Sequence, residues 1–106
     1  MRIERVNKLI KEKISEILLK EINFKDALIT VQNVETSKDL RKTKIGISVI
    51  PTEKSKKALD VLKKQGNNIQ KELNKKIETR FVPKIEFNID KGEENANRIE
   101  RILKNI

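Results

Sequence analysis

Cysteine, histidine, tryptophan and tyrosine are absent from this 106-residue chain, which has only three phenylalanines, three glycines and two prolines. Without Cys and His there is no thiol nucleophile, imidazole base, disulfide or zinc site of the usual nitrogen or sulfur type. Any catalysis would have to use carboxylates, lysines or hydroxyls. With so few rings, the core must be built from Ile, Leu and Val. Long apolar runs are missing too: Ile45-Gly46-Ile47-Ser48-Val49-Ile50 is far shorter than a membrane span, and Met1-Arg2-Ile3-Glu4 opens a charged amphipathic stretch rather than a signal peptide. The expectation is a soluble, cytoplasmic protein with no membrane partner. The lack of Cys fits a reducing compartment without establishing it.

Charge is what the chain has in plenty. Lys and Arg number 25 against 16 Asp and Glu, a formal net charge of +9. Such an excess favours a polyanionic partner, nucleic acid first and an anionic membrane surface second. The length suits one domain, residues 1–106, with a small aliphatic core.

Ile3, Val6, Ile10, Ile14, Ile17 and Leu18 recur at steps of three and four, which predicts a helix from about residue 2 to 21. Residues 28–34 and 44–50 are rich in β-branched side chains and are expected to be strands, joined by a solvated polar loop over 35–43. After Pro51, Thr52 is the expected N-cap of a second helix with Ala58, Leu59 and Leu62 on its apolar face. Gly66 interrupts that helix. Periodicity resumes at Ile69, Leu73 and Ile77, with Asn67 or Asn68 as the new cap. Beyond Pro83, Ile85, Phe87 and Ile89 alternate with Glu86 and Asn88 as in a half-buried strand. Gly92 then precedes a short C-terminal helix carrying Ala96, Ile99, Leu103 and Ile106. The predicted order is α-β-β-(α-kink-α)-β-α, an α+β fold with helices on one face of a three-stranded sheet. The first two strands should be antiparallel, and the last two, joined by a helical crossover, parallel. This is the order of a type II KH domain.

The positive charge is uneven. Residues 51–80 hold nine basic and four acidic groups, more than half of the net charge, whereas residues 81–106 hold five of each. Lys63 and Lys64 meet the interruption; Lys71, Lys75, Lys76 and Arg80 follow it. Lys71 and Lys75 lie off the apolar stripe, four residues apart. A helix start at Gly66-Asn67 beside these lysines would offer N–H groups to a phosphate, although such a pair is more often a turn needing positive φ. Lysines at non-core helix positions also serve simply to keep a small protein in solution. Lys38, Arg41, Lys42 and Lys44 around the first polar loop form a second candidate group. With Phe24, Phe81 and Phe87 as the only rings, base stacking is poorly supplied, and contact with folded RNA through phosphates and shape is the better expectation. Asp90, Glu93 and Glu94 are close in sequence, but no nucleotide, metal or nucleophile motif accompanies them, so neither catalysis nor a cofactor is expected.

Several local patterns coincide with one family. Arg5-Val6, Ser37-Lys38-Asp39-Leu40 ahead of Lys44-Ile45-Gly46-Ile47-Ser48-Val49, and above all Arg80-Phe81-Val82-Pro83-Lys84-Ile85-Glu86-Phe87-Asn88-Ile89-Asp90 closely resemble ribosome-binding factor A. The resemblance covers nearly the whole chain. It implies a KH-like fold and a non-enzymatic factor that binds the immature small (30S) ribosomal subunit. It also implies promotion of late maturation, including processing of the 5′ end of 16S rRNA, greatest importance in the cold, and release assisted by a GTPase. A monomer is expected. The family's Ala-x-Gly kink falls at Gln65-Gly66-Asn67, where neither the alanine nor the final glycine is kept, and the family's usual Arg is replaced by Gln70. Arg5 and Arg80 match family positions, and each is as well suited to fold support as to RNA contact. The alternatives are a free-standing KH-like module for single-stranded RNA and a basic adaptor for an acidic protein.

Overall fold

The computed structural model describes residues 3–22, 24, 27–77 and 82–90. Helix α1 (Ile3–Glu21) leads into strands β1 (Leu28–Thr36) and β2 (Lys42–Ile50), then helices α2 (Ser55–Lys64) and α3 (Gly66–Lys76), and finally strand β3 (Lys84–Ile89). The sheet order is β1-β2-β3. β1 and β2 pair antiparallel from Leu28 opposite Ile50 to Thr36 opposite Thr43. β2 and β3 pair parallel from Lys42 opposite Lys84 to Ile47 opposite Ile89. The α+β class and the strand directions are those expected. The predicted C-terminal helix lies outside the described residues.

The apolar stripe of α1 buries Ile10, Ile14, Ile17 and Leu18. They meet Ala58 and Leu62 of α2, Ile69 and Leu73 of α3, and the inward row of the sheet: Val31, Val34, Ile45, Ile47, Val49 and Phe87. Removal of each Ile, Leu, Val or Phe side chain from water contributes about 1.5–3 kcal/mol, so the aliphatic residues hold helices and sheet together without large rings. Helices α1, α2 and α3 thus cover one face. The other face carries Thr30, Asn33, Glu35, Lys42, Lys44, Lys84, Glu86 and Asn88, all exposed. Among the described residues no helix is long and apolar enough to cross a membrane.

Three features differ from expectation. Both early strands extend further, leaving only residues 37–41 between them rather than 35–43. The cause is Thr36 and Thr43, a facing pair turned into the core: the Thr36 hydroxyl donates to Asn7 Oδ1 on α1, and the two threonine hydroxyls lie 2.9 Å apart. In β1 the register shifts between Val31 and Asn33, with Gln32 as the extra residue of a bulge. Finally, Thr52 does not cap a helix. It opens a single 3-10 turn (Thr52–Lys54), and α2 starts at Ser55 without a side-chain cap.

Candidate nucleic-acid interface

The kink between α2 and α3 is made by Gln65, at φ −89° and ψ 5°, which ends one helix and precedes the other. Its N–H donates to the Val61 carbonyl and its own carbonyl accepts from Ile69 N–H, so both hydrogen-bond ladders close around it. The amide of Asn68 donates to Gln65 Oε1 at 3.0 Å. The expectation of a left-handed Gly66 or Asn67 is therefore corrected, as is that of Asn67 or Asn68 as cap. Neither Gly66 nor Asn67 has positive φ, and a Cβ at Gly66 would meet nothing within 4 Å. The angles of Gln65 are those of the second central position of a type I turn, which most residues can adopt, so the family's small residue and glycine can be absent here.

The kink sets α2 and α3 on one side of a groove of about 480 Å³ whose other side is β3. Leu62, Val82, Ile85 and Phe87 give it an apolar floor; Lys63, Asn67, Gln70, Asn74 and Lys84 line its rim. Gln70 anchors the strand side: its amide nitrogen donates to the Pro83 carbonyl at 3.2 Å, and its Oε1 accepts from Ile85 N–H at 2.9 Å. Apolar floor, amide rim and ammonium groups together suit a nucleotide strand, whose sugars and bases need apolar contact and whose phosphates need cations.

The structure divides the basic residues expected around the kink between two surfaces. Lys63, Gly66 and Asn67 line the β3-side groove, whereas Lys71 and Lys75 line a different recess of about 360 Å³ between α1 and α3, together with Glu21 and Glu72. Lys75 lies 3.4 Å from Glu72, and Lys76, half-buried, lies 3.7 Å from Glu16 of α1. Lys64 is exposed at the end of α2. Arg80 and Glu93 and Glu94 fall outside the described residues. Arg5 is exposed on α1, and Asp90 donates its main-chain N–H to the Ile47 carbonyl.

The second basic group sits on a tightly built turn. Ser37 Oγ donates to Asp39 Oδ1 at 2.6 Å and accepts from Lys42 N–H at 3.1 Å, while Arg41 N–H also donates to Asp39. Leu40 takes φ 60°, the one positive φ among the described non-glycine residues, held by its N–H bond to the Ser37 carbonyl. The Ser37 hydroxyl, then the Arg41 N–H, hold the Asp39 carboxyl below its ordinary range. Lys38, Arg41, Lys42 and Lys44 are all exposed around this frame. Lys44 is flanked across the sheet by Glu35 and Glu86. Sequence reasoning missed Lys84, Gln70 and Asn74 as groove residues. Alternation along the last strand does place Lys84 outward, the one signal that pointed to it.

A family model described as "Ribosome-binding factor A" matches residues 2–103. Among curated relatives, ribosome-binding factor A of Dictyoglomus thermophilum is 40% identical over 108 residues, covering 99% of this chain and 90% of that protein. That of Thermodesulfovibrio yellowstonii is 36% identical with the same coverage. The crystal structure of ribosome-binding factor A from Thermus thermophilus superposes with a TM-score of 0.70 at 21% identity, covering 84% of this chain and 97% of that one. A Thermus thermophilus model fitted into the cryo-EM map of a 30S–RbfA complex gives 0.72 at 20% identity, with 83% and 93% covered. Match length and identity agree with the fold, and the chain belongs to the ribosome-binding factor A family.

Proposed function

We propose that this chain, as a single domain, is a non-enzymatic assembly factor that binds the immature small ribosomal subunit through its rRNA and promotes late maturation, including processing at the 5′ end of 16S rRNA. The observation that carries this reading is the groove between the kink and β3, with an apolar floor and Lys63 and Lys84 on its rim, in a chain of net charge +9. Support comes from the family relationship and from the relative fitted into a 30S complex. Lys38, Lys63, Lys64, Lys71, Lys75, Arg41, Lys42, Lys44 and Arg80, with Gly66 and Asn67, are the proposed RNA-facing residues; Lys76, expected among them from the sequence, is instead engaged by Glu16 of α1. Action as a monomer in the cytoplasm, release assisted by a GTPase and greatest importance in the cold follow from the resemblance and belong to the same reading.

Sedimentation of the tagged protein through a sucrose gradient tests it. Selective co-migration with free small subunits is expected, together with accumulation of unprocessed 16S precursor when the protein is depleted. Uniform distribution over the gradient would favour the second reading, a free-standing module for single-stranded RNA, which a groove with an apolar floor also suits.

A further inference from the structure

On the open face of the sheet two lysines stand side by side with no acid between them. Lys42 of β2 and Lys84 of β3 are paired positions, so their side chains leave the same face from strands about 4.8 Å apart. Like charges placed directly across a strand pair destabilise a sheet. One row further along, the residues in register with Lys44 on both sides are acids, Glu35 and Glu86. Beside Lys42 the β1 side offers only Ser37, whose hydroxyl already serves Asp39 and Lys42 N–H. Among the described residues neither Lys42 nor Lys84 has an ion-pair partner. Two lysines with Glu86 as the one acid lining their recess carry an excess of positive charge, which an anion would offset.

Its location says which anion. Lys84 lines the groove beside the kink and also a small recess with Lys42 and Glu86. Its N–H bonds the Arg41 carbonyl, which fixes the start of β3 against the β1–β2 turn. From Phe87 to Lys84 is about 10 Å of strand, and Lys84, which lines both groove and recess, links the two across β3. We propose that Lys42 and Lys84 form a phosphate-binding subsite that continues the β3-side groove, so that one single-stranded RNA segment runs from the kink along β3 to the β1–β2 turn. The inference rests on the RNA-binding reading above and joins its two basic groups into one track through Lys84.

The test compares wild type, Lys63→Gln and the double variant Lys42→Gln/Lys84→Gln, each as the full chain. Binding is measured at several salt concentrations to immature small subunits, to protein-free precursor rRNA and to a short oligouridylate, single-stranded or annealed to oligoadenylate. Each phosphate contact accounts for about a threefold loss of affinity over a fourfold rise in salt. The double variant should therefore lose about tenfold less affinity than wild type over that range, on subunits, on rRNA and on the single-stranded oligouridylate. Relief of the like-charge pair should raise its melting temperature by about 1–5 °C, a gain that a structural role for these lysines would reverse. An unchanged salt dependence in the double variant, while Lys63→Gln weakens binding, overturns the subsite and leaves the function standing. The same holds if wild type prefers the annealed duplex to the single strand. A defect on subunits but not on protein-free rRNA also overturns it, assigning the pair to a ribosomal protein. If wild type binds neither subunits nor rRNA, the proposed function fails and the subsite with it.

Discussion

The side-chain carbonyl of Gln70 accepts the main-chain N–H of Ile85 at 2.9 Å. Because the even-numbered residues of β3 turn their N–H groups toward β2, as Lys84 and Asp90 do, that of Ile85 faces the open edge. Gln70 thus takes the place of a fourth strand, with its amide nitrogen on the Pro83 carbonyl. Replacing Gln70 with Ala leaves a part-buried N–H unsatisfied and should cost about 1–3 kcal/mol. Urea unfolding measures the loss, and hydrogen exchange should show it concentrated at Ile85.

Gly66→Ala is expected to be tolerated. Gly66 is helical, has no positive φ, and a Cβ there enters open space. Lower entropy in the unfolded chain should leave stability unchanged or raised by up to about 1 kcal/mol. A loss larger than that in thermal unfolding would mean that the kink needs glycine after all.

The turn at Ser37 should make stability depend on acid. The folded state holds Asp39 below its ordinary value of 3.8, chiefly through the Ser37 hydroxyl. The carboxylate's contribution is therefore complete above that value and lost as pH falls through the lower folded one. Ser37→Ala should move the Asp39 titration, followed by carboxyl NMR, back toward its ordinary value and flatten the acid limb of the stability profile.

Thr43 is fully buried, and among the described residues its hydroxyl has a single partner, Thr36. Thr43→Val keeps the shape and removes that bond while Thr36 retains Asn7. The expected cost is about 0.5–1.5 kcal/mol by urea unfolding. A neutral result would mean that the threonine pair is held by packing alone.

Lys64 and Lys76 should behave differently toward small subunits. Lys64 is exposed with no ion-pair partner among the described residues, whereas Lys76 is half-buried against Glu16. Lys64→Gln should flatten the logarithmic salt dependence of binding by about 0.7–0.9, and Lys76→Gln should leave it alone. Equal effects in a filtration assay would show that the Glu16 pair opens on the subunit.

The helices and the direction of every strand were legible because aliphatic residues recur at unambiguous spacings, as in Ile10, Ile14 and Ile17. What resisted was whatever depends on partners distant in sequence. Glu35, Thr36 and Thr43 look like loop residues until Asn7 is placed beside them. The bend at Gln65 leaves no signature, since its backbone angles suit nearly any residue, and Leu40 gives no sign of its positive φ. Lys84 was hidden for another reason: it lies in a stretch whose basic and acidic residues balance, and only the parallel register brings it to Lys42.

The extra residue at Gln32 divides β1 into two halves of opposite parity. Before it the odd-numbered Ile29 and Val31 face the helices; after it the even-numbered Val34 and Thr36 do. Were the ladder to run through Gln32 without the bulge, Val34 and Thr36 would turn to the open face, because alternation counts positions and not chemistry. The attachment of the β1–β2 turn to α1 through Thr36 and Asn7 thus depends on the bulge absorbing one position, and a chain lacking Gln32 should form a regular β1 with the same residues inward.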